Sequence, residues 1–173
     1  MGFTVVTGLG PRVGSSFVMR MAKESGLPVV GDKFPEGWCV PEHNPEGYWE
    51  FPPDKLNKME AEDTKEWEGK IVKLWFPSLL KVGMTGVDKI LLLRRRELSH
   101  QVKSIEKCMV DEFKLPNIIN QDIEGLTATD ILRLHYNGLE RWLYTVEKYP
   151  EILDVYTEDI DNQLDNILSF LES

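Results

Sequence analysis

The sequence predicts an α/β domain, with a central parallel sheet flanked by helices. Two observations lead there. Short β-branched or apolar runs alternate along the chain with stretches of helical periodicity, the pattern of successive βαβ units. The run ILLL at residues 90–93 is apolar at consecutive positions, as a strand covered on both faces requires. The 173 residues, 42% hydrophobic and 28% charged, point to one domain over residues 1–173 with its own core.

Taken in order, FTVVT at residues 3–7 is β-branched and aromatic and predicts a buried first strand. GLGPRVG at 8–14 has the composition of a turn. SSFVMRMAKES at 15–25 places Phe17, Val18, Met21 and Ala22 on one helical face, and Gly26 stands where a terminating glycine belongs. PVVG at 28–31 predicts a short second strand. Residues 32–53, rich in Pro, Gly and aromatics, read as a long ordered loop over the ligand side of the sheet. Residues 54–67 read as a polar helix and KIVKL at 70–74 as a strand; a short helix is expected over 76–81. KILLL at 89–93 is the clearest buried strand, followed by a helix over 97–112 and a polar loop over 117–124. Thr127 or Thr129 is suited to cap a long helix reaching about residue 148. ILDVY at 152–156 is the last strand, and residues 163–171 the last helix.

The formal net charge of -9 argues against non-specific nucleic-acid binding, which needs clustered cations. It leaves room for a local anion site built from arginines and backbone N–H groups. Cys39 and Cys108 have neither CxxC nor metal-ligand spacing, so they read as free thiols in a reducing cytoplasm, with no metal expected. The N-terminus carries no secretory signal pattern, and Val6 stands where a myristoylation signal wants Ser or Thr. No apolar run is long enough to cross a bilayer. A cytoplasmic protein acting on a small-molecule or sugar partner is expected.

The chemistry concentrates in the first turn. A strand that ends in GLGPRVGSS and passes into a helix suits a phosphate: glycines admit close approach, and the first helical N–H groups have no intrahelical partner. Ser15 and Ser16 add hydroxyls, and Arg12 adds a fixed charge. The loop is not a Walker A motif, since Ser15 stands where its lysine would be, and Val13 replaces the third glycine of the Rossmann pattern. A strand–turn–helix corner with glycines for geometry alone is the plainer alternative. The arginine and the two serines weigh against it.

GPRVGSS resembles the Pro-Arg/Lys-Ser-Gly-Thr/Ser-Ser/Thr loop of the sulfotransferases, with Val13 in place of the usual serine. The resemblance implies a three-layer P-loop-type fold. It also implies that Gly10, Pro11, Arg12, Val13, Gly14, Ser15 and Ser16 hold the 5′-phosphosulfate end of 3′-phosphoadenosine 5′-phosphosulfate, Val13 by its backbone only. The family places an arginine after a buried strand and a serine eight positions later on the 3′-phosphate. Here RRRELSHQVKS follows the strand, and Arg96 and Ser104 have that spacing, while Arg94 and Arg95 compete without it. NPEGYWE at 44–50 is similar to a segment of bacterial and phage-type members, KIVKLWFP to the strand carrying Lys-Thr-His-Leu-Pro, and VYTEDI to Tyr-Glu-Asp-Leu. Lys73 falls on the family's lysine, but Trp75 falls on its catalytic histidine. The family's later glycine-rich loop has no counterpart in the sequence up to FLES.

The function so implied is sulfuryl transfer to a hydroxyl or amine. Arg12 and Lys73 are expected to stabilise the leaving oxygen, a role whose loss typically costs ~3 kcal/mol of barrier. The base is sought in the long loop, where Glu50 and His43 rank level. The aromatics Trp38, Tyr48, Trp49 and Phe51 either floor an acceptor pocket or form the loop's own core. His100 reads as a surface residue and His135 as structural. The alternatives are a non-catalytic nucleotide-binding module on the same fold and, behind it, a small P-loop kinase.

Overall fold

The computed structural model describes residues 2–10, 12–34, 44–51, 61–74, 79, 86–111, 126–145 and 150–173. Five strands form one all-parallel sheet: β1 (Phe3–Gly8), β2 (Val29–Val30), β3 (Ile71–Lys73), β4 (Val87–Arg94) and β5 (Glu151–Tyr156). Their spatial order is β2-β3-β1-β4-β5. Among the described residues there are four α-helices: α1 (Ser15–Glu24), α2 (Leu98–Asp111), α3 (Ala128–Thr145) and α4 (Ile160–Glu172).

Strand alternation sorts the core into two layers of side chains. Val6, Ile71, Leu91, Leu93 and Val155 face one way, against Val18, Met19 and Ala22 of α1 and Ile167 and Leu171 of α4. Phe3, Val5, Val72, Ile90 and Leu92 face the other way, against Trp67 and Leu79, with Leu139 of α3 packed on them. A smaller cluster joins α2 to α3 through Ile105, Ala128, Ile131 and Leu132. The consecutive apolar run of β4 thus serves both faces. Because the sheet is parallel, every strand ends on the same side. Register puts Val6 beside Lys73 and Gly8 beside Leu93. β1 is central and lies beside β3, and the connections leaving these two strands run in opposite directions, β1 to β2 one way and β3 to β4 the other. The crevice beyond the strand ends at such a point is where open α/β sheets take ligands.

The strands and the long helices fall where the sequence places them. At Thr127 the capping choice resolves: its hydroxyl accepts from the Asp130 N–H at 3.2 Å, and the Asp130 carboxylate accepts from the Thr127 N–H at 3.0 Å. This reciprocal box holds the Asp130 carboxyl below the ordinary range, chiefly through the Thr127 hydroxyl. Two elements differ from expectation. Within the stretch expected as a polar helix, Ala61–Trp67 is a 3-10 helix, whose three-residue turn brings Thr64 and Trp67 to the same buried side. The last helix begins at Ile160, because a 3-10 turn over Thr157–Asp159 leads straight into it. Residues 76–78, 80–81 and 117–124 lie outside the described residues.

Candidate functional site

The turn between β1 and α1 is built from left-handed backbone. Gly10, Arg12 and Gly14 have φ of 94°, 68° and 81°. For Arg12 that conformation costs roughly 1–2 kcal/mol, so the surroundings must impose it. Gly10 is fixed by space as well: a Cβ there would lie 2.4 Å from Leu132 Cδ2 and 3.0 Å from Gln101 Nε2.

Three side chains from distant elements grip the carbonyls of this loop. The buried Gln101 of α2 donates through Nε2 to the Leu9 carbonyl at 2.8 Å. Arg95 Nε donates to the Arg12 carbonyl at 2.8 Å. The Thr157 hydroxyl reaches both the Val13 carbonyl at 2.9 Å and the Arg94 carbonyl at 3.2 Å. In a trans peptide the carbonyl and the following N–H point in opposite directions. Fixing the carbonyls of Arg12 and Val13 therefore turns the N–H groups of Val13 and Gly14 away from the scaffold. The Val13 side chain is buried in the α1–α4 layer, so only its backbone is offered. The first bond of α1 runs from the Val18 N–H to the Gly14 carbonyl at 3.1 Å. Helix geometry then leaves the N–H groups of Ser15, Ser16 and Phe17 without intrahelical partners, at the positive end of the dipole.

Lys73 stands beside that helix end. It is two residues after Ile71 on β3, and Ile71 packs on the α1 side, so alternation sends the lysine the same way. Its ammonium is buried, with three partners: Glu50 Oε1 at 2.5 Å, Ser16 Oγ at 2.9 Å and the Tyr48 carbonyl at 3.0 Å. The side chains of Lys73 and Glu50 are 5% and 7% exposed, so the pair is withdrawn from water. The segment carrying Glu50 is held in turn. The Asp32 N–H donates to the Glu50 carbonyl at 3.1 Å and the Tyr48 N–H to the Lys33 carbonyl at 2.8 Å. Arg20 of α1 pairs with Glu46.

The arginines divide by what they meet. Arg94 binds Asp154, Nε to Oδ1 at 2.7 Å. Arg96, 54% exposed, pairs with Asp159. The guanidinium carbons of both lie over the Tyr156 ring, at 4.8 and 4.5 Å from its centroid. Burial raises the nearby Tyr136 phenol above its ordinary pKa, with Arg94 opposing. Arg12 and Arg95 differ: among the described residues neither meets a carboxylate, whereas Arg20, Lys73, Arg94 and Arg96 each do. Arg12 Nε donates to Ser104 Oγ at 3.3 Å. Two guanidinium groups that meet no carboxylate among the described residues thus stand beside outward-turned amides, a local concentration of positive potential on a chain of net charge -9.

The structure therefore brings together Gly10, Arg12, Val13, Gly14, Ser15, Ser16, Ser104, Lys73 and Glu50. Arg96 pairs with Asp159, and Ser104 meets Arg12. Pro11, His43, Trp38 and Trp75 lie outside the described residues. Of the aromatics, Phe51 packs edge-on to Trp67 with centroids 5.1 Å apart, and Trp49 packs on the α1–α4 layer, so these two serve the core. His100 is exposed and His135 buried, as expected. The sequence reading passed over Gln101 and Thr157 and ranked Arg95 below Arg96. The threonine of VYTEDI and the glutamine following RRRELSH carried no motif signal of their own. No protein-family model matches the chain, and no curated protein sequence matches it either.

Proposed function

We propose that this chain is a sulfotransferase of three-layer P-loop type. It moves a sulfuryl group from 3′-phosphoadenosine 5′-phosphosulfate to a hydroxyl or amine of a small-molecule or sugar acceptor. The observation that carries the reading is the β1–α1 loop: its carbonyls are held from behind by Arg95 and Thr157, its amides are turned outward, and Arg12 and Arg95 meet no carboxylate among the described residues.

These groups fit a phosphate ester. The N–H groups from Val13 to Ser16, with Arg12, would hold the 5′-phosphate. Arg95 and Ser104 border the same loop and suit a second phosphate, with Arg96 available if Asp159 releases it. When bound, the donor supplies a sulfuryl group whose S–O bond to the 5′-phosphate oxygen breaks as a new bond forms from sulfur to the acceptor oxygen or nitrogen. Lys73 and Arg12 would neutralise the oxygen that departs with the phosphate, the site of greatest charge development. Glu50 is the described carboxylate at this point and would take the proton from the acceptor; His43 is the other candidate base.

Calorimetric titration with 3′-phosphoadenosine 5′-phosphate tests the reading. Binding that weakens in Arg12→Ala supports it, and absence of binding at millimolar ligand rejects it. One observation favours a second reading, a non-catalytic nucleotide-binding module. All three N–H groups of Lys73 are already engaged within the protein. Labelled sulfate appearing on any acceptor would exclude that module.

A further inference from the structure

We infer that Glu50 determines the charge of the terminal group this site takes. It admits a group with one negative charge, such as a sulfuryl, and rejects a group with two, such as a phosphoryl. The inference rests on the reading of the β1–α1 loop as a phosphosulfate site.

The argument is a charge inventory. Ser16 lies in the first turn of α1, and its hydroxyl is 2.9 Å from Lys73 Nζ. A group seated on the N–H of Ser15 or Ser16 is therefore a close neighbour of the ammonium. Glu50 Oε1 is 2.5 Å from that same ammonium, so whatever reaches Lys73 also comes near a carboxylate. The Lys73–Glu50 pair presents no net charge. Among the described residues of this turn, the arginines that meet no carboxylate are Arg12 and Arg95, which lie on Ser104 and on the Arg12 carbonyl. They suit the phosphate that stays with the nucleotide. The terminal group faces a neutral pair whose anionic member repels each added negative charge. Burial sharpens this, since repulsion between charges rises as the local dielectric falls.

Glu50 has little freedom to withdraw. Its carbonyl accepts from the Asp32 N–H at 3.1 Å. Gly31 runs so close that a Cβ there would lie 2.9 Å from the Glu50 carbonyl carbon. Upstream, Asn44 Nδ2 donates to the Gly47 carbonyl at 2.8 Å, and Glu46 is paired to Arg20. With its backbone held and its buried carboxylate tied to Lys73, Glu50 stays beside the ammonium and discriminates by charge.

Two nucleotides of matched shape test this: 3′-phosphoadenosine 5′-phosphosulfate and 3′-phosphoadenosine 5′-diphosphate, titrated without acceptor. The intact chain is expected to bind the phosphosulfate at least about tenfold tighter, the scale expected for one added like charge in a partly buried site. Glu50→Gln should narrow that preference to within about threefold, mainly by gaining affinity for the diphosphate, while Glu50→Asp keeps it. Equal or tighter binding of the diphosphate by the intact chain overturns the inference, as does an unchanged preference in folded Glu50→Gln. If Glu50→Gln does not fold, the ratio measured on the intact chain decides alone. Binding of 3′-phosphoadenosine 5′-phosphate without discrimination within the pair sinks this inference only, whereas no binding of any of the three sinks the functional reading as well.

Discussion

The carboxylate of Glu50 lies 2.5 Å from the ammonium of Lys73, and both side chains are buried. Removing one member leaves an uncompensated charge out of water, which typically costs about 3–5 kcal/mol. Lys73→Met is accordingly expected to lower the unfolding free energy by roughly that amount, read from urea denaturation. The double variant Lys73→Met/Glu50→Leu should recover most of it, because a buried pair exchanged for apolar groups is often neutral. Recovery of nothing would mean that Lys73 is held mainly by Ser16 and Tyr48.

Arginines without carboxylate partners should matter most for anion binding. Arg12→Ala and Arg95→Ala are each expected to weaken 3′-phosphoadenosine 5′-phosphate by about tenfold or more, from the loss of a charged hydrogen bond. Arg96→Ala should do less, since Asp159 already occupies that guanidinium. Calorimetry on the three variants checks the order. A loss in Arg96→Ala equal to that in Arg12→Ala would show that the nucleotide displaces Asp159.

Gly10 has both a left-handed backbone and no room for a Cβ. Gly10→Ala combines about 1–2 kcal/mol of backbone strain with a collision against Leu132. Thermal melts should show the destabilisation, and nucleotide affinity should fall with it because the loop must shift. By contrast, Gly26 also has positive φ but open space around it. Gly26→Ala should show the strain alone and leave affinity intact.

His135 gives a pH dependence of defined sign. Burial holds its pKa below the ordinary value, against a smaller opposing effect from the Ile131 carbonyl. That carbonyl, 2.8 Å from Nδ1, can only accept, so Nδ1 carries the proton of a neutral ring. Between the depressed folded value and the unfolded value near 6.5, the unfolded chain binds a proton that the folded chain does not. This contribution to stability is therefore complete above about pH 6.5 and is lost as pH falls, at up to about 1.4 kcal/mol per pH unit. His135→Leu should flatten the decline between pH 6.5 and 5 in denaturation series. An unchanged slope would place the titration elsewhere.

Much of the architecture was legible because single local causes set it. Consecutive apolar residues made β4, β-branched residues before a glycine turn made β1, and Thr127 with Asp130 made the start of α3. The turn between β1 and α1 was legible for the same reason, its glycines and serines being contiguous. What stayed hidden came from distant chain. Spacing to Ser104 singled out Arg96, but Ser104 lies against Arg12, 92 positions earlier. Three successive arginines leaving β4 diverge to Asp154, to the loop and to Asp159, and no spacing rule says which goes where. Glu50 and Lys73 were each placed at the site separately. Their contact depends on how the segment carrying Glu50 folds back beside Asp32, which no local pattern encodes.

The Thr157 hydroxyl binds at once to the turn after the first strand and to the end of the fourth. The turn thus takes its shape from a residue made 144 positions after Val13. A nascent chain that has emerged only as far as β4 carries every glycine and serine of the turn, yet lacks the clasp that aims its amides. In refolding, capacity for nucleotide is expected to arise no sooner than the docking of Ile160 and Ile167.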